Sequence, residues 1–285
     1  MSEILRLESL GWRAAPVESD GVRYLRRDGA QVSYPRDVFD TLIVDGGQGF
    51  WLDARANAVG ALCRQAQLSA LWDVGAGSGA MAKRLVAHGV EVVSIEPLPE
   101  GAREIAEMGA AVFCGTLEDL ELPSASLPAI GLFDVLEHLN DPRPLLLETA
   151  RVLVGGGWLF VTVPAYKWLW SAEDEALGHY RRYTSGGIRT TLESAGFTVL
   201  TSRYLFASLV PVAALLRALP YRLGLQRAKP EAVLARNASR LQPGAAVNRV
   251  AAAVLSAESQ VARRVHLPLG LSVIAVARAV PQPGD

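Results

Sequence analysis

The sequence has few cysteines, few histidines and no excess of charge of either sign. Its 285 residues include 2 cysteines and 4 histidines, and the formal net charge is −1. Cys63 and Cys114 form no CxxC pair, so their spacing predicts neither a zinc site nor a disulfide framework, and we expect two buried thiols. The scattered histidines predict no metal site. Because nucleic-acid-binding proteins usually carry a basic excess, the charge balance argues against a nucleic-acid partner.

Long apolar runs are also scarce, although half of the residues are hydrophobic. The apolar stretch Leu205–Leu219 is too short to cross a bilayer, which takes about 20 residues, and Pro211 and Arg217 interrupt it. Three roles stay open for this stretch: a buried cap, a dimer interface or wall of a pocket for an apolar acceptor, and a segment in the membrane surface. Met1–Leu10 carries acidic residues and no apolar run, which is not typical of a secretory signal, so we expect a cytoplasmic protein.

From residue 70 onward, short apolar runs alternate with helical patterns. This alternation predicts an α/β fold with a parallel sheet and crossover helices. Glycines follow four of the helices, where left-handed caps belong, at Gly89, Gly109, Gly155–Gly157 and Gly196. The predicted strands are Ala70–Val74, Glu91–Ile95, Ala111–Cys114, Ala129–Phe133, Trp158–Val163, Thr198–Tyr204 and Leu271–Val280. The predicted helices are Ala80–His88, Gly101–Met108, Pro142–Leu153, Ser185–Ala195 and a helix through Ala66 that Asp53 caps.

Two segments flank or interrupt this α/β pattern. Residues 1–50 predict a β-hairpin extension, because turn signals at Ser19–Gly21 and Arg27–Gly29 separate short β-like pieces. Residues 205–265 predict a helical insertion before the last strand. The α/β domain then comprises residues 51–204 and 266–281. The β-like pieces of the extension are Trp12–Val17, Val22–Arg26 and Ala30–Ser33.

A glycine-rich loop, LWDVGAGSG at Leu71–Gly79, ends the first of these strands and opens a helix. Its glycines permit a tight turn and let a ligand approach the backbone. Asp73 stands just before the loop, and Glu96 ends the next strand, where a carboxylate can accept both ribose hydroxyls of an adenosine. Nucleotide dehydrogenases use a similar loop, and Ala80 at their third glycine position is a permitted variant. The loop alone therefore leaves the kind of nucleotide cofactor open.

The ends of the third and fourth strands decide between these classes. Cys114–Asp119 (CGTLED) places Leu117 where it can cover an adenine ring, and Phe133–Leu139 (FDVLEHL) lies beside the point where ligands collect. In order, DVGAGSG, IEP, GTLEDL and FDVLEHL resemble the successive motifs of class I S-adenosylmethionine-dependent methyltransferases. The resemblance covers about residues 70 to 200 and the final strand. It implies S-adenosylmethionine as the cofactor and a Rossmann-like, mostly parallel sheet of seven strands with helices on both faces. The last strand is then antiparallel and lies beside the fifth.

Segments outside this region are similar to a bacterial subgroup of these enzymes. Gly49–Asn57 matches its FWxxARN segment, Leu169–Thr184 its LWSxxDxxxGHxRRYT run, and Pro268–Ser272 its PxGxS step. A helix at the first segment can lie across the cofactor mouth, with Arg55 on the methionine carboxylate and Trp51 shielding the sulfonium. The alternative is that both side chains only anchor this helix to the core.

In methyl transfer the protein mainly supplies proximity, orientation and a dry site, because the cofactor carries the reactive group. An oxygen acceptor can also need a base, and His138 and His179 are the candidates; each also fits an orienting or structural role. The loop after the fifth strand predicts a substrate wall in which arginines meet an anionic group. Alternatively, its aromatic residues pin the loop and its arginines pair with Glu173 or Asp174. Thr184 or Ser185 is expected to cap the following helix.

We predict O-methylation of a small-molecule or glycoconjugate acceptor. The alternatives are another reaction on the same cofactor scaffold, a module that binds the cofactor without turnover, and a nicotinamide oxidoreductase. A homodimer through the apolar insertion and contact with a membrane surface are further expectations. The predicted cofactor residues are Trp51, Arg55, Asp73, Gly75, Ala76, Gly77, Gly79, Glu96, Pro97, Thr116, Leu117 and Phe133. The predicted substrate residues are Tyr166, Trp170, Arg181, Arg182 and Tyr183.

Overall fold

The computed structural model describes residue 12 and residues 16–25, 50–225, 245–262 and 265–281. Nine strands of these residues form one sheet in the order β1-β2-β5-β4-β3-β6-β7-β9-β8. The sheet is parallel from β2 to β7, whereas β1 and β9 are antiparallel to their neighbours. The strands are β1 (Val17–Ser19), β2 (Val22–Tyr24), β3 (Ala70–Val74), β4 (Glu91–Glu96), β5 (Ala111–Cys114), β6 (Leu127–Phe133), β7 (Leu153–Pro164), β8 (Phe197–Leu205) and β9 (Ser272–Ala279).

Helices cover both faces of the sheet. Leu71 and Val92 pack with α1 and α2 on one face, and their neighbours Trp72 and Val93 pack with α4 and α6 on the other. This alternation explains why every residue of β3 is buried, as in a parallel strand covered on both faces. Among the described residues, the α-helices are α1 (Phe50–Gln65), α2 (Ala80–Ala87), α3 (Pro99–Glu107), α4 (Arg143–Val152), α5 (Ala172–Ala176), α6 (Ser185–Glu193), α7 (Val210–Ala213), α8 (Leu219–Arg222) and α9 (Ala245–Ala262).

The seven predicted strands are all present, with bounds that differ by a few residues at most except for β7, which begins earlier. The antiparallel last strand, β9, lies between β7 and β8, which confirms its predicted place beside the fifth strand. The count rises to nine because the hairpin of β1 and β2 joins the sheet edge, where Arg23 and Tyr24 pair in parallel with β5. The rest of the predicted extension, with Ala30–Ser33 and Arg27–Gly29, lies outside the described residues.

Two helix-end predictions are wrong. The first helix begins at Phe50, so Asp53 lies inside its first turn and pairs with Arg84 Nε at 2.5 Å instead of capping it. Gly155–Gly157 do not cap a helix either, because β7 begins directly after α4 and contains them. Thr184 does cap α6, since its side chain accepts from the Gly187 N–H at 2.9 Å. The predicted left-handed glycines Gly89, Gly109 and Gly196 have positive φ.

The described parts of the insertion before β9, within residues 205–225 and 245–262, are mainly helical. A π-helical turn, Ala214–Ala218, joins α7 to α8 in one continuous segment that follows the 3-10 turn Ala207–Leu209. Leu215 is 63% exposed and Leu216 is 52% exposed, whereas Val210 and Ala218 are buried, so the segment is partly buried and its three predicted roles stay predictions. Among the described residues, no helix combines the length and the apolarity that crossing a membrane requires.

Candidate active site

A cavity of about 980 Å³ opens at the carboxyl ends of the parallel strands. Loops that follow β3, β4, β5 and β6 form one side of it, and α1 and the insertion form the other. Ligands collect at this edge in open α/β sheets, because adjacent loops diverge there and leave a crevice.

The glycine loop after β3 forms the floor of the cavity. Gly75 and Gly77 have φ of 75° and 59°, and the carboxylate of Glu96 accepts from the N–H of Gly77 at 2.7 Å and of Leu98 at 2.8 Å. Burial outweighs these two hydrogen bonds and raises the pKa of Glu96 to about 8. An added Cβ at Gly77 would meet no atom within 4 Å, so space lies above the loop. Open backbone lies beside a strand-end carboxyl group that can accept hydrogen bonds from both ribose hydroxyls, and this arrangement suits an adenosine.

Ten of the twelve predicted cofactor residues line the cavity, and Asp73 and Gly79 do not. Asp73 is buried behind the loop, where neither carboxylate oxygen has a hydrogen-bond partner among the described residues, and burial raises its pKa to about 7. At Gly79, an added Cβ would lie 2.6 Å from Ile105 Cγ1. These two residues therefore shape the loop and the contact of α2 with α3, and they do not line the ligand space.

Helix α1 contributes Phe50, Trp51, Leu52 and Arg55 to the cavity lining, and its predicted place across the cofactor mouth stays a prediction. Its Arg55 forms an ion pair with Asp134 and donates to Ser272 Oγ at 3.2 Å, while its guanidinium lies 4.7 Å from the ring centroid of Trp51. Asp134 also accepts from Thr162 Oγ1 at 3.3 Å. Arg55 thus links α1 to Asp134, directly after β6, and to Ser272, the first residue of β9. Its predicted role on the methionine carboxylate, and that of Trp51 on the sulfonium, stay predictions.

The two predicted catalytic histidines meet in the lining of the cavity. The rings of His138 and His179 lie 4.6 Å apart between centroids at an angle of 78°, and both residues line the cavity. Burial, and then the neighbouring His179, lower the pKa of His138 to about 3. The His138 ring is therefore neutral at physiological pH and is a weak base.

Asp174 orients His179. Its carboxylate accepts from His179 Nδ1 at 2.9 Å, from Arg182 Nε at 2.6 Å and Nη2 at 2.9 Å, and from the backbone N–H of Ser171 at 2.8 Å. Burial alone would raise the pKa of Asp174, but the hydrogen bond from His179 and the charge of Arg182 lower it to about 2. An ionised Asp174 needs a donor, so Nδ1 of His179 carries the proton and Nε2 carries the lone pair.

Glu137 lies next to the histidine pair and was missed by the sequence reasoning. It is 1% exposed, and its Oε2 has no hydrogen-bond partner within the described part of the chain. Burial and the charge of Asp134 hold the pKa of this carboxyl well above its usual range. The possible ligand atoms of Glu137, His138 and His179 all lie within 4.8 Å of one another. Two of the four histidines, His138 and His179, therefore meet in the structure although they are far apart in the sequence.

Of the predicted substrate residues, the structure brings only Arg182 to the cavity lining. Tyr166 stacks on Tyr204 at 4.9 Å and donates to the Pro268 carbonyl, and Arg181 donates to the Leu139 carbonyl at 3.0 Å. Pinning of the loop, the alternative reading, accounts for these contacts. Trp170 and Tyr183 also lie outside the cavity lining, and Tyr183 donates to the Leu136 carbonyl at 3.3 Å.

An apolar wall lines the same cavity as the histidines, and the sequence did not predict its residues individually. It joins the insertion to the loops after β6 and β7. The apolar stretch of the insertion was visible in the sequence, but its position over the cavity depends on the path of the chain after β8. The wall residues are Leu139, Leu145, Leu169, Leu177, Phe206, Leu209, Val212, Ala213 and Leu216.

The sheet order, the glycine loop and the strand-end Glu96 define a class of enzyme, the class I S-adenosylmethionine-dependent methyltransferases. A family model described as a methyltransferase domain matches residues 49–202, which is more than half of the chain. The chain belongs to this methyltransferase family, and its cofactor is S-adenosylmethionine.

Curated relatives match a part of the chain. An uncharacterised methyltransferase of Mycobacterium bovis is 35% identical over 111 residues, 38% of this chain and 42% of that protein. A ubiquinone biosynthesis O-methyltransferase of Thiobacillus denitrificans is 34% identical over 119 residues, 39% of this chain and 47% of that protein. The matches therefore span less than half the length of these relatives.

A solved structure supports the fold. An S-adenosylmethionine-dependent methyltransferase of Thermotoga maritima, described as a possible histamine N-methyltransferase, is 16% identical with a TM-score of 0.50. The alignment covers 85% of this chain and 98% of that protein. At this identity the likeness concerns the fold alone.

Proposed function

We propose that the enzyme transfers a methyl group to a hydroxyl oxygen of a small molecule that has a large apolar portion. The observation that carries this proposal is the pairing of an oriented histidine couple with an apolar wall in one cavity. The named activity of the Thiobacillus relative, O-methylation in ubiquinone biosynthesis, supports an oxygen acceptor.

The cavity has room for a cofactor and an acceptor together, because about 980 Å³ lies at the top of the usual range of about 300–1,000 Å³ for ligand sites. The glycine loop, Glu96 and Leu117 hold the adenosine on this proposal, which leaves the histidine side for the acceptor. Bound S-adenosylmethionine supplies a methyl group on a sulfonium and leaves as S-adenosylhomocysteine.

The protein's contribution is orientation, exclusion of water and assistance in removing the hydroxyl proton. The apolar wall places the acceptor, and α1 closes the mouth through the ion pair of Arg55 with Asp134. The hydroxyl oxygen bonds to the methyl carbon as the carbon–sulfur bond breaks, and the electron pair of that bond stays on sulfur. The hydroxyl proton leaves at the histidine pair, with Asp174 fixing the tautomer of His179.

Apolar acceptors are favoured over strongly anionic ones. Arg182, the predicted partner of an anionic group, is already paired with Asp174 by two hydrogen bonds. A glycoconjugate acceptor, a homodimer, contact with a membrane surface and a cytoplasmic location stay predictions of the sequence.

The test is a comparison of His179→Gln with the matched control His88→Gln. His88 packs against Gly60 and contacts Arg64, away from the cavity. With a panel of phenols and hydroxyquinones that carry or lack an isoprenoid chain, wild type and His88→Gln should methylate the chain-bearing members. His179→Gln should lose about 100-fold in kcat, within the range of general acid–base catalysis. Equal turnover by both variants, or methylation of amines only, would contradict the proposal.

A further inference from the structure

We infer that Glu137, His138 and His179 form a binding site for one divalent first-row transition-metal cation beside the acceptor. Two imidazoles and one carboxylate are a ligand set that binds Mn²⁺, Fe²⁺ or Zn²⁺ and leaves positions open. The inference concerns the means by which the histidine pair acts, and in its catalytic part it rests on the proposed function.

The three side chains converge on the cavity. Their ligand atoms lie within 4.8 Å of one another, and all three residues line the cavity wall. Ligands about 2.0–2.2 Å from a shared cation lie roughly 3–3.5 Å apart, so small rotations of the side chains complete the shell. The open side of the cavity gives the cation an entry path and leaves it accessible to an acceptor.

Each histidine ring also forms a hydrogen bond with a group outside this cluster, as metal-binding histidines usually do. Asp174 accepts from Nδ1 of His179 and thereby turns the Nε2 lone pair away from itself. The backbone of Leu177 hydrogen-bonds the His138 ring. Metal-bound histidines generally give their second nitrogen to a carboxylate or a carbonyl, which fixes the tautomer and strengthens the ligand.

Glu137 is the observation that points to a ligand independently of the histidines. This carboxyl group is buried, its Oε2 lacks a hydrogen-bond partner in the described chain, and Glu137 is one of the residues that line the same cavity. The two nearby guanidinium groups are engaged elsewhere: Arg55 with Asp134, and Arg182 with Asp174. Buried polar groups are normally satisfied, so an unpartnered carboxyl oxygen within reach of two imidazoles favours a cation as the ligand of this cluster.

A cation at this position activates the acceptor without a free base. It polarises the hydroxyl and lowers the pKa of the hydroxyl proton, which then leaves to solvent through the open side of the cavity instead of passing to the histidine pair, and the oxygen–carbon bond forms as the carbon–sulfur bond breaks. On this account His179 acts as a ligand through Nε2, and its loss removes the cation as well as the activity.

Direct binding tests the site. Full-length protein, treated with EDTA and desalted, is titrated with MnCl₂ and separately with ZnCl₂ by calorimetry, and bound Mn²⁺ is counted by electron paramagnetic resonance. We expect one cation per chain in wild type and in the control His88→Gln. Glu137→Gln and His179→Gln should each lose at least 10-fold in affinity, and Asp174→Asn about 10–100-fold, the usual effect of losing an outer partner.

Absence of stoichiometric binding to wild type, or unchanged affinity in both Glu137→Gln and His179→Gln, would overturn the inference. Binding of S-adenosylhomocysteine serves as the folding control for each variant. If O-methylation runs at full rate in EDTA and no cation binds, the metal site is wrong and the proposed function stands. If a cation binds as expected and no hydroxylated acceptor is methylated, the site stands and the proposed function is wrong.

Discussion

At the scale of single residues, burial determines the properties of the two acidic residues under the glycine loop. Glu96 and Asp73 stand one strand apart under the glycine loop, and both are almost wholly buried. Glu96 has two backbone donors, whereas the oxygens of Asp73 have no partner among the described residues. The two acids therefore have different roles: Glu96 contacts the ligand space, and Asp73 supports the loop from behind.

Replacing Glu96 with Gln should weaken the binding of S-adenosylhomocysteine. The amide replaces one of the two carboxyl oxygens with a nitrogen that cannot accept, and the loss of a hydrogen bond from the ribose costs about 1–3 kcal/mol in binding free energy. Calorimetric titration measures the loss, with Glu107→Gln on the exposed side of α3 as the control. Equal affinity in the two variants would show that the ribose is held by other groups.

Asp73 gives a pH dependence of stability. Burial raises its folded-state pKa to about 7, from an ordinary value of 3.8, so between these pH values the folded state binds more protons than the unfolded state. The free energy of unfolding therefore falls as the pH rises from about 4 to 7. Asp73→Asn, which is neutral throughout, should flatten this slope in denaturant titrations at pH 5, 6 and 7. A slope identical to that of wild type would contradict the assignment.

At the scale of elements, helix α2 depends on Gly79 for its approach to α3. Gly79 and Gly89 flank α2 with φ of 73° and 81°, but only Gly79 faces a neighbour, Ile105. Gly89→Ala should cost about 1–2 kcal/mol through the left-handed backbone alone. Gly79→Ala should cost about 1–3 kcal/mol more through overpacking. Chemical denaturation measures both, and equal losses would contradict the close contact of the helices.

Two neighbouring leucines in the π-helical turn of the insertion allow a matched comparison of variants. Leu216 lines the cavity, and its neighbour Leu215 does not. Leu216→Ser should raise the KM for an acceptor with an isoprenoid chain several-fold and leave cofactor affinity unchanged, because it removes apolar contact area from one wall. Leu215→Ser should change neither. A larger KM effect at Leu215 would show that the acceptor does not lie against the assigned wall.

At the scale of the whole molecule, the sequence predicted what is encoded locally. Each of the seven predicted strands has its own apolar run between turn signals, so strand identity needed no knowledge of distant partners. Arg23 pairs with Phe113 in β5, which is far away in the sequence. No local pattern therefore predicts that the hairpin extends the sheet.

The site shows the same difference between features encoded locally and features that depend on long-range packing. The cofactor residues lie in continuous motifs at strand ends, and ten of twelve line the cavity. The acceptor side depends on which way side chains point after the loop has packed. Arg181 and Arg182 are adjacent in sequence, yet Arg182 pairs with Asp174 inside the site while Arg181 binds backbone carbonyls outside the lining. Glu137 was missed because its distance from His179 is set by the loop and not by sequence spacing.

The central claim is that this methyltransferase places its methyl group on oxygen. Incubation with S-adenosylmethionine deuterated in the methyl group, followed by mass spectrometry and nuclear magnetic resonance of the product, locates the transferred carbon directly. With hydroxyquinone acceptors that bear an isoprenoid chain, we predict a deuterated methyl ether. A label found on nitrogen or carbon of any acceptor, with none on oxygen, would contradict this claim.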